Sequence, residues 1–277
     1  MAAVRHPELK DKVAIVTGGG GGIGGAVAAS LAGQGVRVAV ADVDEASAAR
    51  VAEAIIAAGG EALAVRVDLA EEDDVAAMVD ATVAHYGGVD IVDNNAALTA
   101  ADVLARDTTV TDMSVEVWDQ MMSVNLRSQM LVCKHAIPYM VRAGGGAVVN
   151  MSSGAARTGD LSRTAYSVSK AGIEAFTRQV ATQYGRHGVR ANTIVPGLIL
   201  TEPVRAQIPA KMLGAYSRRL LTPFVGEPRH VADLVTFLVS DSSGYITGQS
   251  IVIDGGMSAH SAHLPAVDES VDAAEGA

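Results

Sequence analysis

The 277-residue chain has one cysteine, one tryptophan and three phenylalanines, and its 21 basic residues are outnumbered by 31 acidic ones. A single cysteine, Cys133, excludes an intrachain disulfide and suits a reducing, cytoplasmic setting. It stands in the apolar helical pattern "LVCKHAIPYMV", where a buried structural thiol is expected rather than a nucleophile. With a net charge of −10 and scattered cations, the chain offers no basic stripe to displace the counterions of a nucleic acid. Apolar runs stay short of the roughly 18 residues that a membrane span requires. The opening "MAAVRHPELKDK" has no apolar stretch ahead of its charges, so no secretory signal is expected. Among seven histidines, only His260 and His263 in the tail are three apart; they are expected at the surface, and no metal site is expected.

What the chain does have is hydrophobic residues (49%) and 29 glycines, enough for one large core. Short Val- and Ile-rich runs at 12–17, 37–41, 62–67, 90–93, 147–151, 191–195 and 250–253 read as strands buried on both faces. Alanine-rich helical patterns at 22–34, 45–58, 71–86, 115–142, 164–187 and 229–240 alternate with them. Such alternation predicts an α/β, Rossmann-like doubly wound parallel sheet with helices on both faces. One domain over 1–256 is expected, with a substrate lid near 197–226 and a tail over 257–277 that frays or packs on a neighbouring subunit. The long connections 96–114 and 197–226 belong at the carboxyl edge of the sheet, where such folds place ligands.

Two short motifs carry chemistry. "TGGGGGIG" follows the first strand and opens a helix, where bare backbone amides attract phosphate and side chains would block it. Asp42 closes "VRVAVAD", 18 residues after Gly24, where a carboxylate can accept both ribose hydroxyls and repel a 2′-phosphate. No Lys or Arg at 19–21 or 43 offsets it, so NAD is favoured over NADP. In "TAYSVSKAG", Tyr166 and Lys170 are four apart on one helix face, and an ammonium beside a phenol is expected to lower its pKa.

With further motifs in the right order, the chain resembles the short-chain dehydrogenase/reductase family over nearly its whole length. The cofactor pattern is Thr17-Gly18-x-x-x-Gly22-Ile23-Gly24, and the catalytic pattern is Tyr166-x-x-x-Lys170 with Ser153 thirteen residues earlier. Asn125 in "SVNLRS", Asp68 in "DLAEED", "NNAA" from Asn94, "PGLILT" from Pro196 and "GYITGQSIVIDGG" complete the match. The resemblance implies a seven-stranded sheet in the order 3-2-1-4-5-6-7. It implies Tyr166 as proton acceptor, Lys170 as its pKa-lowering neighbour, and Ser153 on the substrate oxygen. Asn125 would bend its helix and bind a relay water. Cofactor contacts are implied for Thr17, Gly18, Gly22, Ile23, Gly24, Asp42, Asp68, Leu69, Asn94, Ala96, Tyr166, Lys170, Pro196, Gly197, Ile199 and Thr201, with Asn94 near the adenosine ribose. Asp68 resembles the family's adenine-binding acid, the alternative being a cap on the helix beginning near Glu71, or both roles together. Gly18 serves the tight turn, Gly22 the approach of the diphosphate and Gly24 helix packing, while Gly19, Gly20 and Gly21 fill positions open to other residues.

Three departures stand out: Ala97 where the family pattern ends in glycine, Asp93 where an apolar residue is usual, and a 96–114 loop about six residues longer than in typical relatives. A buried Asp93 needs partners. Leu198, Leu200, Val204, Ile208, Met212, Leu213 and Tyr216 suggest an apolar pocket, and Arg157, Arg163, Arg205 and Lys211 are candidate anion contacts or plain surface charges. The resulting expectation is an NAD-dependent dehydrogenase of a bulky, apolar secondary alcohol, acting in the oxidative direction. The alternatives are a 3-oxoacyl thioester reductase or a catalytically silent dinucleotide-binding protein. A homotetramer or homodimer through helices near 115–142 and 164–187 is expected.

Overall fold

A computed structural model describes residues 5–261 of the chain. Seven parallel strands lie in the order β3-β2-β1-β4-β5-β6-β7. They are β1 Val13–Thr17, β2 Arg37–Asp42, β3 Glu61–Arg66, β4 Ile91–Asn94, β5 Gly146–Met151, β6 Val189–Pro196 and β7 Ser250–Ile253. The helices are α1 Gly22–Gly33, α2 Glu45–Ala57, α3 Glu72–Tyr86, α4 Ala101–Arg106, α5 Val115–Met122, α6 Ser128–Arg142, α7 Thr164–Tyr184, α8 Glu202–Gln207, α9 Ala210–Ser217 and α10 Pro228–Val239. The expected fold class and strand order are those observed.

Strand residues serve the two faces in alternation. Ala14, Val16, Val38, Val40, Ile91 and Val149 pack with Val27 and Leu31 of α1 and Val231 and Val235 of α10. Ile15, Ala39, Val92 and Val148 meet Met78 of α3, Leu131 and Ile137 of α6 and Val180 of α7. Each fully buried Val, Leu or Ile contributes roughly 1.5–3 kcal/mol, which drives runs that are apolar on both faces to the centre of the sheet. Cys133 is buried on α6, and burial pushes its thiol up to about 12, as a structural thiol requires.

Two expectations change. The single helix expected over 115–142 is interrupted: α5 passes through a π-helical turn, Ser123–Arg127, before α6 begins. The long 96–114 connection carries a short helix of its own, α4. His263 and most of the 257–277 tail lie outside the described residues. Among the described residues, no helix is long and apolar enough to cross a membrane.

Candidate functional site

β1 ends at Thr17, which is 1% exposed. Its hydroxyl donates to the Asp93 carbonyl (3.3 Å) and accepts the N–H groups of Asn95 (3.2 Å) and Ala96 (3.3 Å). The Thr17 side chain is therefore a staple between β1 and the chain leaving β4 rather than an open ligand contact. Gly18 and Gly22 then take φ values of +63° and +54°, the left-handed region that favours glycine. A Cβ on Gly24 would overlap the Gly18 carbonyl oxygen, so only glycine lets α1 start this close to the turn. Gly21 caps α1 without a side chain, and nothing lies within 4 Å of where its Cβ would stand. The positive end of α1, with its free N–H groups, thus faces an open space at the carboxyl edge of the sheet.

Gly19 and Gly20 do not match their expected freedom. A Cβ on Gly20 would stand 2.8 Å from the Ser47 Cβ and 2.9 Å from Asp42 Oδ2, and one on Gly19 2.9 Å from a Val40 methyl. The run folds against β2 and α2, so only Gly21 is open. Asp42, at the tip of β2, accepts the Gly20 N–H on Oδ2 (2.9 Å) and the Asp44 N–H on Oδ1 (3.1 Å). These two bonds fix a carboxylate beside the cradle. Arg50 of α2, which the sequence reading passed over, donates to the Gly20 carbonyl (3.1 Å) and brings a cation to the same corner.

The remaining cofactor candidates divide. Ile23 packs partly into the α1 core. Asp68 accepts the Ala70 N–H (2.9 Å), while Glu71 occupies the N-cap of α3, so Asp68 is not that cap. Leu69 is core-packed at 8% exposure. The Asn94 side chain corrects its expected place near a ribose: it is 1% exposed, and its amide donates to Asn150 Oδ1 (2.8 Å) and toward Cys133 Sγ (3.6 Å). Strand alternation turns it down into the α6 face. Its neighbour Asn95 instead closes the cradle, donating to the Gly18 carbonyl (3.3 Å). Across the cradle, a Thr201 methyl lies 3.4 Å from where a Gly22 Cβ would stand. Pro196 ends β6, and Gly197 admits the Tyr216 hydroxyl, which accepts the Leu198 N–H (2.8 Å). Ile199 bridges to Gly226. Bare amides at a helix start, glycine-only walls and a carboxylate at the β2 tip fit the diphosphate and ribose of a dinucleotide.

Ser153, Tyr166, Lys170 and Asn125 converge beside this cradle. Ser153 leaves the end of β5 and its hydroxyl accepts the Ala155 N–H (3.2 Å). Asn125 is fully buried in the π-helical turn; its Oδ1 accepts the Leu98 N–H (2.7 Å) and its amide donates to Ser169 Oγ (3.1 Å). Ser169 in turn donates to the Tyr166 carbonyl (2.7 Å), which links the bend to the first turns of α7. Lys170 is 1% exposed and donates to the Met151 carbonyl (2.8 Å), with its Nζ 5.8 Å from the Tyr166 ring centre. The expectation that Lys170 lowers the Tyr166 pKa is corrected here. Burial raises Tyr166 above its ordinary value; a Ser153 hydrogen bond and the Arg163 charge work against that rise. Lys170 is itself drawn down by burial to about 7, so it holds its proton only weakly near neutral pH.

Of the four candidate anion contacts, Arg157 pairs with Glu174 (2.9 Å) and Arg205 with Glu227 (3.4 Å). Sequence reasoning also missed Asp107, a buried carboxylate in the long connection that accepts the N–H groups of Ala165 and Tyr166. No motif flagged it, because its partners are 58 and 59 residues away.

A doubly wound parallel sheet with a glycine cradle at its first βα turn, and a Tyr-Lys pair beside that turn, defines a dinucleotide-binding α/β protein. A family model described as enoyl-(acyl carrier protein) reductase matches residues 18–258. A probable short-chain type dehydrogenase/reductase of Bradyrhizobium diazoefficiens is 46% identical, covering 91% of this chain and 89% of that protein. The cis-4-hydroxycyclohexanecarboxylate dehydrogenase of Sinomonas cyclohexanicum is 35% identical, covering 90% and 97% respectively. A solved 7α-hydroxysteroid dehydrogenase, complexed with NADH and 7-oxoglycochenodeoxycholic acid, superposes with a TM-score of 0.84 at 30% identity over 90% of this chain and 94% of that one. The chain belongs to the short-chain dehydrogenase/reductase family.

Proposed function

We propose that this protein is an NAD-dependent oxidoreductase that interconverts a secondary alcohol and a ketone, working in the oxidative direction on a bulky, mostly apolar substrate. The observation that carries the reading is the convergence of Ser153, Tyr166, Lys170 and Asn125 beside the glycine cradle. When bound, the nicotinamide supplies the hydride acceptor, while the protein supplies position and field. Ser153 holds the substrate oxygen, and Tyr166 takes the proton of the substrate hydroxyl as its carbon loses hydride. Lys170, whose Nζ lies 5.8 Å from the Tyr166 ring centre, stands beside the group that takes up this proton. Asp42 supports NAD, because its carboxylate disfavours a 2′-phosphate. Relatives acting on a hydroxysteroid and a substituted cyclohexanol support a cyclic alcohol. The exposed apolar Leu161, Val110 and Met212 support an apolar mouth under the lid expected over 197–226. The partly exposed Met130 and Val168 on α6 and α7 support association into a homodimer or homotetramer.

Arg50 favours a second reading, a reductase using NADP, since it is a cation able to meet a 2′-phosphate beside Gly20. A spectrophotometric screen of secondary alcohols, steroids, cyclic diols and hydroxyacyl thioesters with NAD and NADP separates the two. We expect NAD reduction with a cyclic or steroid alcohol and a loss of kcat for Tyr166→Phe of about 10²–10⁴-fold, the usual worth of a general base. A clear NADP preference overturns the cofactor reading, and full turnover by Tyr166→Phe overturns the mechanism.

A further inference from the structure

We propose that Asp107 is a positioning residue that sets Tyr166 through the first turn of α7, so that the long 96–114 connection is a brace for the catalytic helix. This rests on the reading of Tyr166 as the proton-transfer group. α7 begins without a cap of its own: its N-cap residue, Arg163, stands at φ +62° and makes no side-chain cap bond. A non-glycine residue in that region is strained and persists only where its surroundings hold it. Here the hold is the Asp107 carbonyl, which accepts the Arg163 N–H at 2.7 Å. The Asp107 carboxylate then supplies the missing cap from another segment. Oδ1 accepts the Ala165 N–H and Oδ2 accepts the Tyr166 N–H, both at 2.9 Å. The next residue repeats the link, as the Thr164 hydroxyl donates to the Thr108 carbonyl at 2.8 Å.

Asp107 is 1% exposed, and a carboxylate so buried is stable only with dedicated donors. Two backbone N–H groups and the positive end of a 21-residue helix provide them. At its other end the same connection donates the Leu98 N–H to Asn125. Between these ties, Val103 and Leu104 of α4 pack in one small cluster with Met121, Ala165 and Tyr166 itself. The brace thus grips both the bend that carries Asn125 and the turn that carries Tyr166.

The test compares Asp107→Ala and Asp107→Asn with Leu238→Ala, a core truncation on the far face of the sheet. Turnover is read with the best alcohol from the screen, NADH affinity by fluorescence titration, and amide exchange over 163–170 by mass spectrometry. For Asp107→Ala we expect kcat to fall about 10–100-fold, since an ångström-scale misplacement of a reacting group costs up to about 100-fold, with NADH affinity within about two-fold. Exchange at Ala165 and Tyr166 is expected to quicken. Asp107→Asn keeps one acceptor oxygen and is expected to recover most of the turnover and slow exchange; if Asp107→Ala fails to fold, partial loss in this variant carries the test. Leu238→Ala is expected to lose thermal stability while keeping its kcat. Normal kcat with unchanged exchange in Asp107→Ala overturns the proposal, as does a fall in kcat that merely tracks melting temperature across all three variants. If the native protein turns over no alcohol, the dehydrogenase reading fails, and exchange at Ala165 and Tyr166 still decides whether Asp107 holds the turn.

Discussion

A Cβ is the smallest change a side chain can make, and it separates the five consecutive glycines from Gly18 by what each would meet. Gly21 faces open space with extended backbone (φ 174°), so Gly21→Ser is expected to leave NADH affinity within about three-fold. Gly20→Ser forces the loop away from the Ser47 Cβ and the Asp42 carboxylate, and is expected to weaken affinity by about ten-fold, a loss of about 1.4 kcal/mol. Gly22→Val puts a β-branched residue at φ +54° and is expected to abolish binding. Fluorescence titration of the three variants checks the order, and equal effects at 20 and 21 would mean that the loop does not lie against β2. Gly18, Gly22 and Gly24 were legible because their roles are local turn and helix geometry. The tightness at Gly19 and Gly20 was not, because their walls come from Val40, Asp42 and Ser47, more than twenty residues along the chain.

Strands and long helices follow from apolar period, which is why the seven strands fall within one or two residues of their expected limits. The π-helical turn between α5 and α6 escapes that signal. One extra residue in a turn shifts the hydrogen-bond register while apolar residues continue on both sides, so 115–142 reads as one helix. Only the resemblance at Asn125 pointed to a local bend. The turn aims the Asn125 side chain at Leu98 and Ser169, and Asn125→Ala leaves the part-buried Leu98 N–H without its acceptor. An orphaned donor of this kind costs about 1–3 kcal/mol. Urea unfolding of Asn125→Ala is expected to show that loss, and native stability in this variant would mean that the Leu98 bond does not hold the bend. α4 was equally hidden, since six residues are too few to display a period.

At the scale of the whole molecule, βα alternation with right-handed crossovers predicted the doubly wound parallel class and the family resemblance supplied the strand order, so the topology was legible where individual contacts were not. The exception at the centre of that sheet is Asp93. It is 0% exposed, both carboxylate oxygens lack a partner, and it lies in register between Val16 of β1 and Val149 of β5. Those valines belong to the core shared with α1 and α10; α1 has no titratable side chain, and Arg229, His230 and Asp233 of α10 exert no charge effect on it. Burial alone raises Asp93 from 3.8 to about 8, so the folded protein holds it protonated at neutral pH. Because the folded state keeps a proton that the unfolded chain has released, stability falls as pH rises from about 4 to 8, by about 1.4 kcal/mol per pH unit. Lys170, drawn down from 10.5 to about 7, acts in the opposite sense, its contribution rising from pH 7 to 10.5. Asp93→Val removes the first slope and leaves the second. The variant's advantage over the native protein in urea unfolding is therefore expected to widen by about 3 kcal/mol between pH 5 and pH 7, then to level off above pH 8. An advantage that stays constant across that range would mean that Asp93 is ionised in the fold, with a partner the sheet does not reveal; a widening one makes this single carboxyl a source of the stability lost between about pH 4 and 8.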